Sequence, residues 1–259
     1  MRPLAELVAQ GIRGLLFDID DTLTTAGRLT AEAYAALERW KAAGKLAIPI
    51  TGRPAGWCDQ IARLWPVDAV VGENGAFYFQ HIEGRLLRRF HDPEALRREK
   101  RARLGAIARR VLAQVPGCAL ASDQPYRETD LAIDYCEDVP ALRLEDAERI
   151  AALMRAAGLT AKISSVHVNC WFGDYDKLGM TRQLFTERFG VDLALANAQF
   201  AFAGDSPNDA PMFAFFEHSV GVANVTRFSA KLEAAPKYVT LGASGAGFAE
   251  TVAHLLRGV

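Results

Sequence analysis

The 259-residue sequence lacks the features that announce several protein classes. Its four cysteines, Cys58, Cys118, Cys136 and Cys170, are scattered, with no CxxC pair and no dense framework. Reduced thiols in a cytoplasm are the expectation, and a disulfide scaffold is not. Five histidines show no HExxH or comparable ligand spacing, which argues against a zinc site. Neither sign of charge is in excess. The formal net charge is −1, so the field of the whole molecule gives no reason to expect nucleic acid or an anionic membrane as partner. No apolar run reaches membrane-spanning length. The stretch MRPLAELVAQGIRG has neither a long apolar segment nor a small-residue cleavage pattern, so no signal peptide is expected. What remains is an ordinary globular balance, 50% hydrophobic and 24% charged. The chain is long enough for one large domain or two modest ones.

Against that background residues 17–24, FDIDDTLT, stand out. Their carboxylates follow directly on an apolar run, where a buried strand rather than a solvated face is expected. Gly14 to Asp20 reads as that strand. Thr30 to Ala43 reads as a helix, with Thr30 as N-cap and Ala33, Leu37 and Trp40 at helical spacing. Leu46 to Thr51 is a second apolar strand, Gly56 to Leu64 a second helix, and Ala69 to Gly72 a third strand. This alternation predicts an α/β fold with a Rossmann-like, doubly wound parallel sheet.

Near residue 80 the pattern changes. HIEGRLLRRFHDP is polar and contains turn residues, and Pro93 to Gln114 reads as a long basic helix. Strands are expected at Ala119 to Ser122, Leu131 to Tyr135 and Thr160 to Phe172, with a helix at Leu144 to Ala157. An inserted α+β domain is therefore expected at 81–173, between core segments 1–80 and 174–259. The core resumes with helices at Asp176 to Phe189, Asp209 to Phe216 and Ala246 to Arg257. Its later strands are expected at Phe200 to Gly204, Ser219 to Val222 and Tyr238 to Thr240.

In open parallel sheets ligands bind beyond the carboxyl ends of the strands. Asp18 and Asp20 lie at the first such end. ITGRP, with Thr51, Gly52 and Arg53, follows the second strand, and VGENGA, with Glu73 and Asn74, the third. FAGDSPNDA brings Asp205, Asn208 and Asp209, and Lys177 stands at the start of a helix. Convergent carboxylates repel one another unless a cation lies between them. Asp18, Asp20 and Asp205 form an all-oxygen set that suits Mg²⁺. A threonine hydroxyl and a lysine suit a phosphoryl group, whose transfer needs charge neutralisation and alignment. A carboxylate can act as nucleophile, and a second one two residues along can serve as acid and base. Each motif alone has a blander reading: a helix cap, a turn or a solvated lysine.

As an ordered set, FDIDDTLT, ITGR, Lys177 and GDSPND resemble the four motifs of the haloacid-dehalogenase-like phosphohydrolase superfamily. The position and size of the insert resemble the class IIB cap of its Cof-type and sucrose-phosphatase-like branch. The resemblance implies Asp18 as nucleophile and Asp20 as general acid and base, the latter also offering its backbone carbonyl to Mg²⁺. It implies Thr51 and Lys177 around the transferring phosphoryl group and Asp205 as metal ligand. Asn208 and Asp209 would be near supports, and Thr22 would brace the loop. Leu178 stands where the family often has glycine.

Within the insert, a continuous strand over Ile163 to Phe172 would put Ser165, His167 and Asn169 on one face directed toward the site. These three, with Glu73, Asn74 and Arg53, are expected to meet substrate. The basic segment LRREKRARLGAIARR lacks the aromatic interleaving of a nucleic-acid binder and reads as a solvated face. GASGAGF reads as a turn into the last helix. The expectation is a cytoplasmic Mg²⁺-dependent phosphomonoesterase acting on a sugar phosphate or other small phosphorylated metabolite. Alternatives are a phosphomutase sharing the aspartyl-phosphate step, or a non-catalytic phosphometabolite sensor.

Overall fold

The computed structural model of the protein describes residues 1–257. In chain order, β1 is Arg2–Pro3, β2 Gly14–Phe17, α1 Ala31–Ala42, β3 Leu46–Pro49, α2 Ala55–Leu64 and β4 Val70–Gly72. A hairpin of β5 Phe77–Ile82 and β6 Arg85–Phe90 follows. The insert comprises α3 Glu94–Gln114, β7 Ala119–Leu120, β8 Leu131–Asp134, α4 Leu144–Ala156, β9 Thr160–Ile163 and β10 His167–Trp171. The chain then runs through α5 Lys177–Leu184, β11 Phe200–Gly204, α6 Ala210–Phe215, β12 His218–Gly221, β13 Tyr238–Val239 and α7 Ser244–Leu256.

The main sheet has the order β1-β13-β12-β11-β2-β3, and every pairing in it is parallel. Alternation along β2 sends Leu15 and Phe17 to one face and Leu16 to the other. The first face packs on α1 and α7 through Leu37, Trp40, Phe248 and Val252. The second packs on α5 and α6 through Met180, Leu184, Met212 and Phe213. Helices on both faces explain why the strands read as uninterrupted apolar runs. Thr30 caps α1 by accepting from the Ala33 amide at 3.3 Å. Trp40, fully buried, donates its indole N–H to the Leu46 carbonyl at 2.7 Å. Its truncation to alanine is expected to cost about 3–5 kcal/mol.

The hairpin is the main departure from the sequence reading. One parallel bridge, Ile50 to Val71, carries the sheet across to β4, and β4-β5-β6 continue it antiparallel. The pattern change near residue 80 thus falls inside β5, whose first half is buried and whose end is exposed. The insert forms its own four-stranded sheet, β7-β8-β10-β9, packed on α3 and α4 around Leu104, Ile133, Ile150 and Val168. The single strand expected over Thr160 to Phe172 is two strands joined by a turn at Ser164, Ser165 and Val166. Ser165 therefore does not extend the face of His167 and Asn169. No disulfide is formed, and no helix is long and apolar enough to cross a membrane, among the described residues.

Candidate active site

The carboxyl ends of β2, β3, β4 and β11 lie side by side, and the loops leaving them build the site. Asp18 follows β2 and is anchored by its amide to the Ala203 carbonyl at 2.9 Å. Lys177, the first residue of α5, is buried and donates to Asp18 Oδ1 at 2.6 Å and Asp209 Oδ1 at 2.8 Å. Carboxylate oxygens of Asp18, Asp205 and Asp209 lie within 4.8 Å of one another, all buried. Asp209 is committed on its other oxygen as well, accepting from the Asp205 amide at 3.1 Å and the Ser206 amide at 3.3 Å. Asp205 accepts from Thr22 Oγ1 at 3.3 Å and from Asn224 Nδ2 at 3.0 Å. Asn224 also donates to the Asp21 carbonyl at 3.0 Å, tying the two acidic loops together.

The electrostatics follow from this crowding. Burial, with the nearby charges of Asp209 and Asp20, pushes the Asp18 carboxyl up to about 8 even though Lys177 pulls the other way. Burial and the Asp18 and Asp209 charges push Asp205 well above the usual carboxylate range. Burial alone would lower the Lys177 ammonium; Asp18 and Asp209 outweigh it and hold the pKa above its ordinary value. One lysine against this set of carboxylates leaves an excess of negative charge in a place poor in water, the condition under which a cation is stabilised.

Asp20 lies on the other side of the same loop and accepts a forked pair from Arg53, Nε to Oδ1 at 2.9 Å and Nη2 to Oδ1 at 2.7 Å. The Arg53 guanidinium also donates to Glu137 of the insert, with Nη1 to Oε2 at 3.1 Å, and stacks 4.5 Å from the Trp57 ring. His167 Nε2 lies 2.9 Å from Glu137 Oε2. Burial would raise the Glu137 carboxyl; His167 and Arg53 outweigh it and hold it at about 2. Asn169 donates to Asp130 Oδ2 at 3.0 Å. Arg127, fully buried, grips Asp130 at 2.9 Å and Asp123 at 2.9 Å and reaches the Gly52 carbonyl at 2.8 Å.

The insert thus closes over the strand ends. The cavity at Asp18 and Asp20 has about 10 Å³, lined by Asp18, Asp20, Gly52, Arg53, His167 and Asn208 among others, and a second of about 140 Å³, lined by Asn74, Trp171 and Lys177, shares Asn208 with it. The first has room for about one water. Thr51, next to Gly52 in the chain, is buried, with Oγ1 accepting from the Arg53 amide at 3.0 Å. A side chain at Gly52 would come within 3.1 Å of Asn74 Nδ2 and 3.5 Å of Asn169 Oδ1. Asn74 accepts from Asn208 at 3.4 Å, while its own Nδ2 is buried without a partner. This orphaned donor beside Gly52 and Asn208 is placed to meet an oxyanion.

Two expected site residues are used differently. Glu73 is not free for substrate. Its carboxylate accepts from the amides of Ala55 at 2.9 Å, Glu128 at 2.9 Å and Thr129 at 2.7 Å, and from the Thr129 hydroxyl. It caps α2 and pins the insert's backbone, which fills its lone pairs. Ser165 sits in the β9–β10 turn near the Asp21 carboxyl and does not line the cavity with His167. Sequence reasoning missed Glu137, Asp130 and Asn224. Asn224 lies just past the end of β12, so the strand-end rule applied once more would have found it.

Residues 15–97 match the family model for haloacid dehalogenase-like hydrolases. The phosphoglycolate phosphatase of Pyrobaculum neutrophilum is 30% identical over 252 residues, spanning 96% of this chain and 97% of that protein. This chain belongs to the haloacid dehalogenase-like hydrolase family. Its fold is shared with a Thermoplasma acidophilum protein at a TM-score of 0.70 and 17% identity, covering 95% of this chain and 98% of the other. The Synechocystis sucrose-phosphatase, solved with sucrose and phosphate, is similar at a TM-score of 0.63 and 17% identity over 95% and 98% of the two chains. A sugar phosphatase of haloacid dehalogenase subclass IIB is similar at 0.60 and 15% identity, over 93% and 98%. Membership of the superfamily that the four motifs resemble therefore stands.

Proposed function

We propose that this hydrolase is a Mg²⁺-dependent phosphomonoesterase that works through an aspartyl-phosphate on Asp18. The observation that carries the reading is the buried cluster of Asp18, Asp205 and Asp209 around a single lysine at the strand ends. Its all-oxygen, anion-rich donor set fits Mg²⁺. Asp18 and Asp205 would hold the ion, with the Asp20 backbone carbonyl, while Asp209 and Asn208 act as supports. When bound, the ion would neutralise charge shared by the carboxylates and the phosphoryl oxygens.

The chain's own groups divide the chemistry. An Asp18 oxygen attacks phosphorus, and the ester oxygen leaves with a proton from Asp20. Water, deprotonated by Asp20, then attacks the aspartyl-phosphate, releasing phosphate and restoring Asp18. Lys177 steadies Asp18 and offsets charge on the transferring group. Thr51, Gly52 and Asn74 line the phosphoryl side, where Asn74 Nδ2 is a donor in need of an acceptor.

A cavity of about 10 Å³ admits no phosphate ester, so the insert moves away for substrate to enter and returns for chemistry. Before proton transfer Asp20 also leaves the Arg53 fork. On the insert side, Arg53, His167 and Asn169 would then face the leaving group. Arg53 and His167 now share the Glu137 carboxylate, which favours a leaving group that carries a carboxylate of its own, as in 2-phosphoglycolate. A sugar phosphate, expected from the sequence, is the second reading, with Asn169 and His167 as hydroxyl partners.

The test is hydrolysis of p-nitrophenyl phosphate, 2-phosphoglycolate and sucrose 6-phosphate by purified protein, with Mg²⁺ and with excess EDTA. Turnover that needs Mg²⁺ and disappears in Asp18→Asn is expected. Equal turnover by wild type and Asp18→Asn would sink the mechanism. A preference for sucrose 6-phosphate would turn the substrate reading toward sugars.

A further inference from the structure

The basic stretch LRREKRARLG, which no catalytic contact uses, opens helix α3. Arg97, Arg98 and Arg101 share one face of it and form one wall of a cleft of about 410 Å³. Arg88 of β6 and the first turn of α2 stand on the sheet side, and Tyr126 and Glu128 belong to the insert. The cleft and the catalytic cavity share no lining residue.

The arginines are not neutralised where they stand. Arg88 and Arg97 share one carboxylate, Glu128, with Arg97 at 3.1 Å. Arg98 pairs with Glu94 one turn back, and Asp59 is engaged elsewhere, by Arg63 at 2.5 Å. Arg101 reaches only a carbonyl, that of Arg127 at 3.3 Å, and has no carboxylate partner among the described residues. Arg97 Nε is buried without a hydrogen-bond partner. Four guanidiniums thus meet two engaged carboxylates, Glu128 and Glu94, in a concave site of small-ligand size. Guanidinium forks match phosphate and carboxylate oxygens better than any other side chain. Pro125 and Tyr126 add a flatter, less polar wall for an organic part.

We propose that this cleft binds an organic polyanion of the class of multiply charged phosphorylated metabolites, at a site separate from the hydrolytic one. Arg101 supplies unspent donors, while Arg97 lies with its guanidinium 3.6 Å over the Phe90 ring. Arg98 exchanges an exposed carboxylate partner for ligand oxygens, a small loss because exposed pairs contribute little, and Arg88 exchanges its share of the half-buried Glu128. Because α2 and β6 form one side and the insert the other, a bound anion ties the two together in the closed arrangement. It therefore opposes substrate entry, and substrate opposes its binding to the same degree. This coupling rests on the phosphomonoesterase reading; the binding does not.

The experiment is calorimetric titration of tripolyphosphate into the full-length Asp18→Asn protein, without divalent metal and at fixed low salt. About one equivalent is expected to bind, at least about tenfold more weakly when Arg98→Glu and Arg101→Glu are added. Both side chains are exposed, and Arg98→Gln with Arg101→Gln provides a milder pair should charge reversal disturb the fold. Unchanged affinity in both pairs overturns the site. Amide exchange over residues 164–167 should slow on saturation with tripolyphosphate, and not in the arginine variants. Binding without that slowing overturns the coupling. Arginine variants with native Asp18 should hydrolyse p-nitrophenyl phosphate within about twofold of wild type. Loss of hydrolysis in these variants overturns the separateness of the two sites. A wild-type protein that fails to hydrolyse it at all counts against the catalytic reading and leaves the titration to judge the cleft.

Discussion

The two walls of the closed cavity are built from the same residue types and end in opposite electrostatic states. On the sheet side, Asp18 and Asp205 are held above the usual carboxylate range, with Lys177 as the shared ammonium. On the insert side, Glu137 is held at about 2 by His167 and Arg53. Burial pushes all three carboxyls in the same direction. The difference is the supply of cations: the insert wall has its counter-charges in the chain, and the sheet wall is short of them. A carboxylate cluster left short is a place for a metal ion, and one that is fully paired is a fastener.

Removing the proposed nucleophile should break the comparison most sharply. Asp18→Asn is expected to lower kcat for p-nitrophenyl phosphate by at least about a thousandfold while the fold persists, read by steady-state kinetics and circular dichroism. Lys177→Met leaves Asp18 and Asp209 buried without their ammonium. Urea unfolding should show a loss of about 3–5 kcal/mol in metal-free protein, with Mg²⁺ recovering part of it. Glu73→Gln puts an amide group among backbone donors at the junction. A loss of about 2–3 kcal/mol is expected in the same measurement, with hydrolysis of the folded fraction retained.

The acid–base behaviour of the two walls should also separate. Asp18 is raised in the folded state from 3.8 to about 8. Its contribution is fully present below the unfolded value and is lost as pH rises through the folded one. Metal-free protein should therefore melt at a lower temperature at pH 8.5 than at pH 6, and Mg²⁺ should stabilise it more at the higher pH. Glu137 is depressed from 4.5 to about 2, so its contribution is present above the unfolded value and is lost as pH falls through the folded one. It should not alter the trend between pH 6 and 8.5. The smallest effect is expected from Glu137→Gln. It should cost about 1 kcal/mol and speed amide exchange over residues 164–167, and slower exchange would contradict its role in holding the insert closed.

The strand-end rule applied to the sequence located the sheet wall because each loop there directly follows an apolar strand. Asp18, Thr51 and Asp205 are fixed by local chain geometry, and the pattern of a parallel sheet is strong over short spans. The same rule misjudged Glu73. Position alone does not reveal that three of its donors, from Glu128 and Thr129, come from 55 or 56 residues away. Glu137 was invisible for a similar reason: its partner Arg53 lies 84 residues distant. The β5–β6 hairpin was obscured because RLLRR lies in an edge strand, exposed or half-exposed throughout, so its side chains do not alternate as a half-buried strand's do. In the insert, the turn at Ser164 to Val166 has no glycine or proline to mark it, and Ser165 reads as part of the face of a longer strand with His167 and Asn169.

The Trp57 ring lies 4.5 Å from the Arg53 guanidinium and is 42% exposed, while Trp40 and Trp171 are sealed in the interior. Indole emission is sensitive to a cation held against its face. Arg53 is the residue that joins Asp20 to Glu137, so any displacement of the insert that frees its fork changes the field at Trp57. The protein carries its own fluorescent gauge of closure, readable in stopped flow without a label.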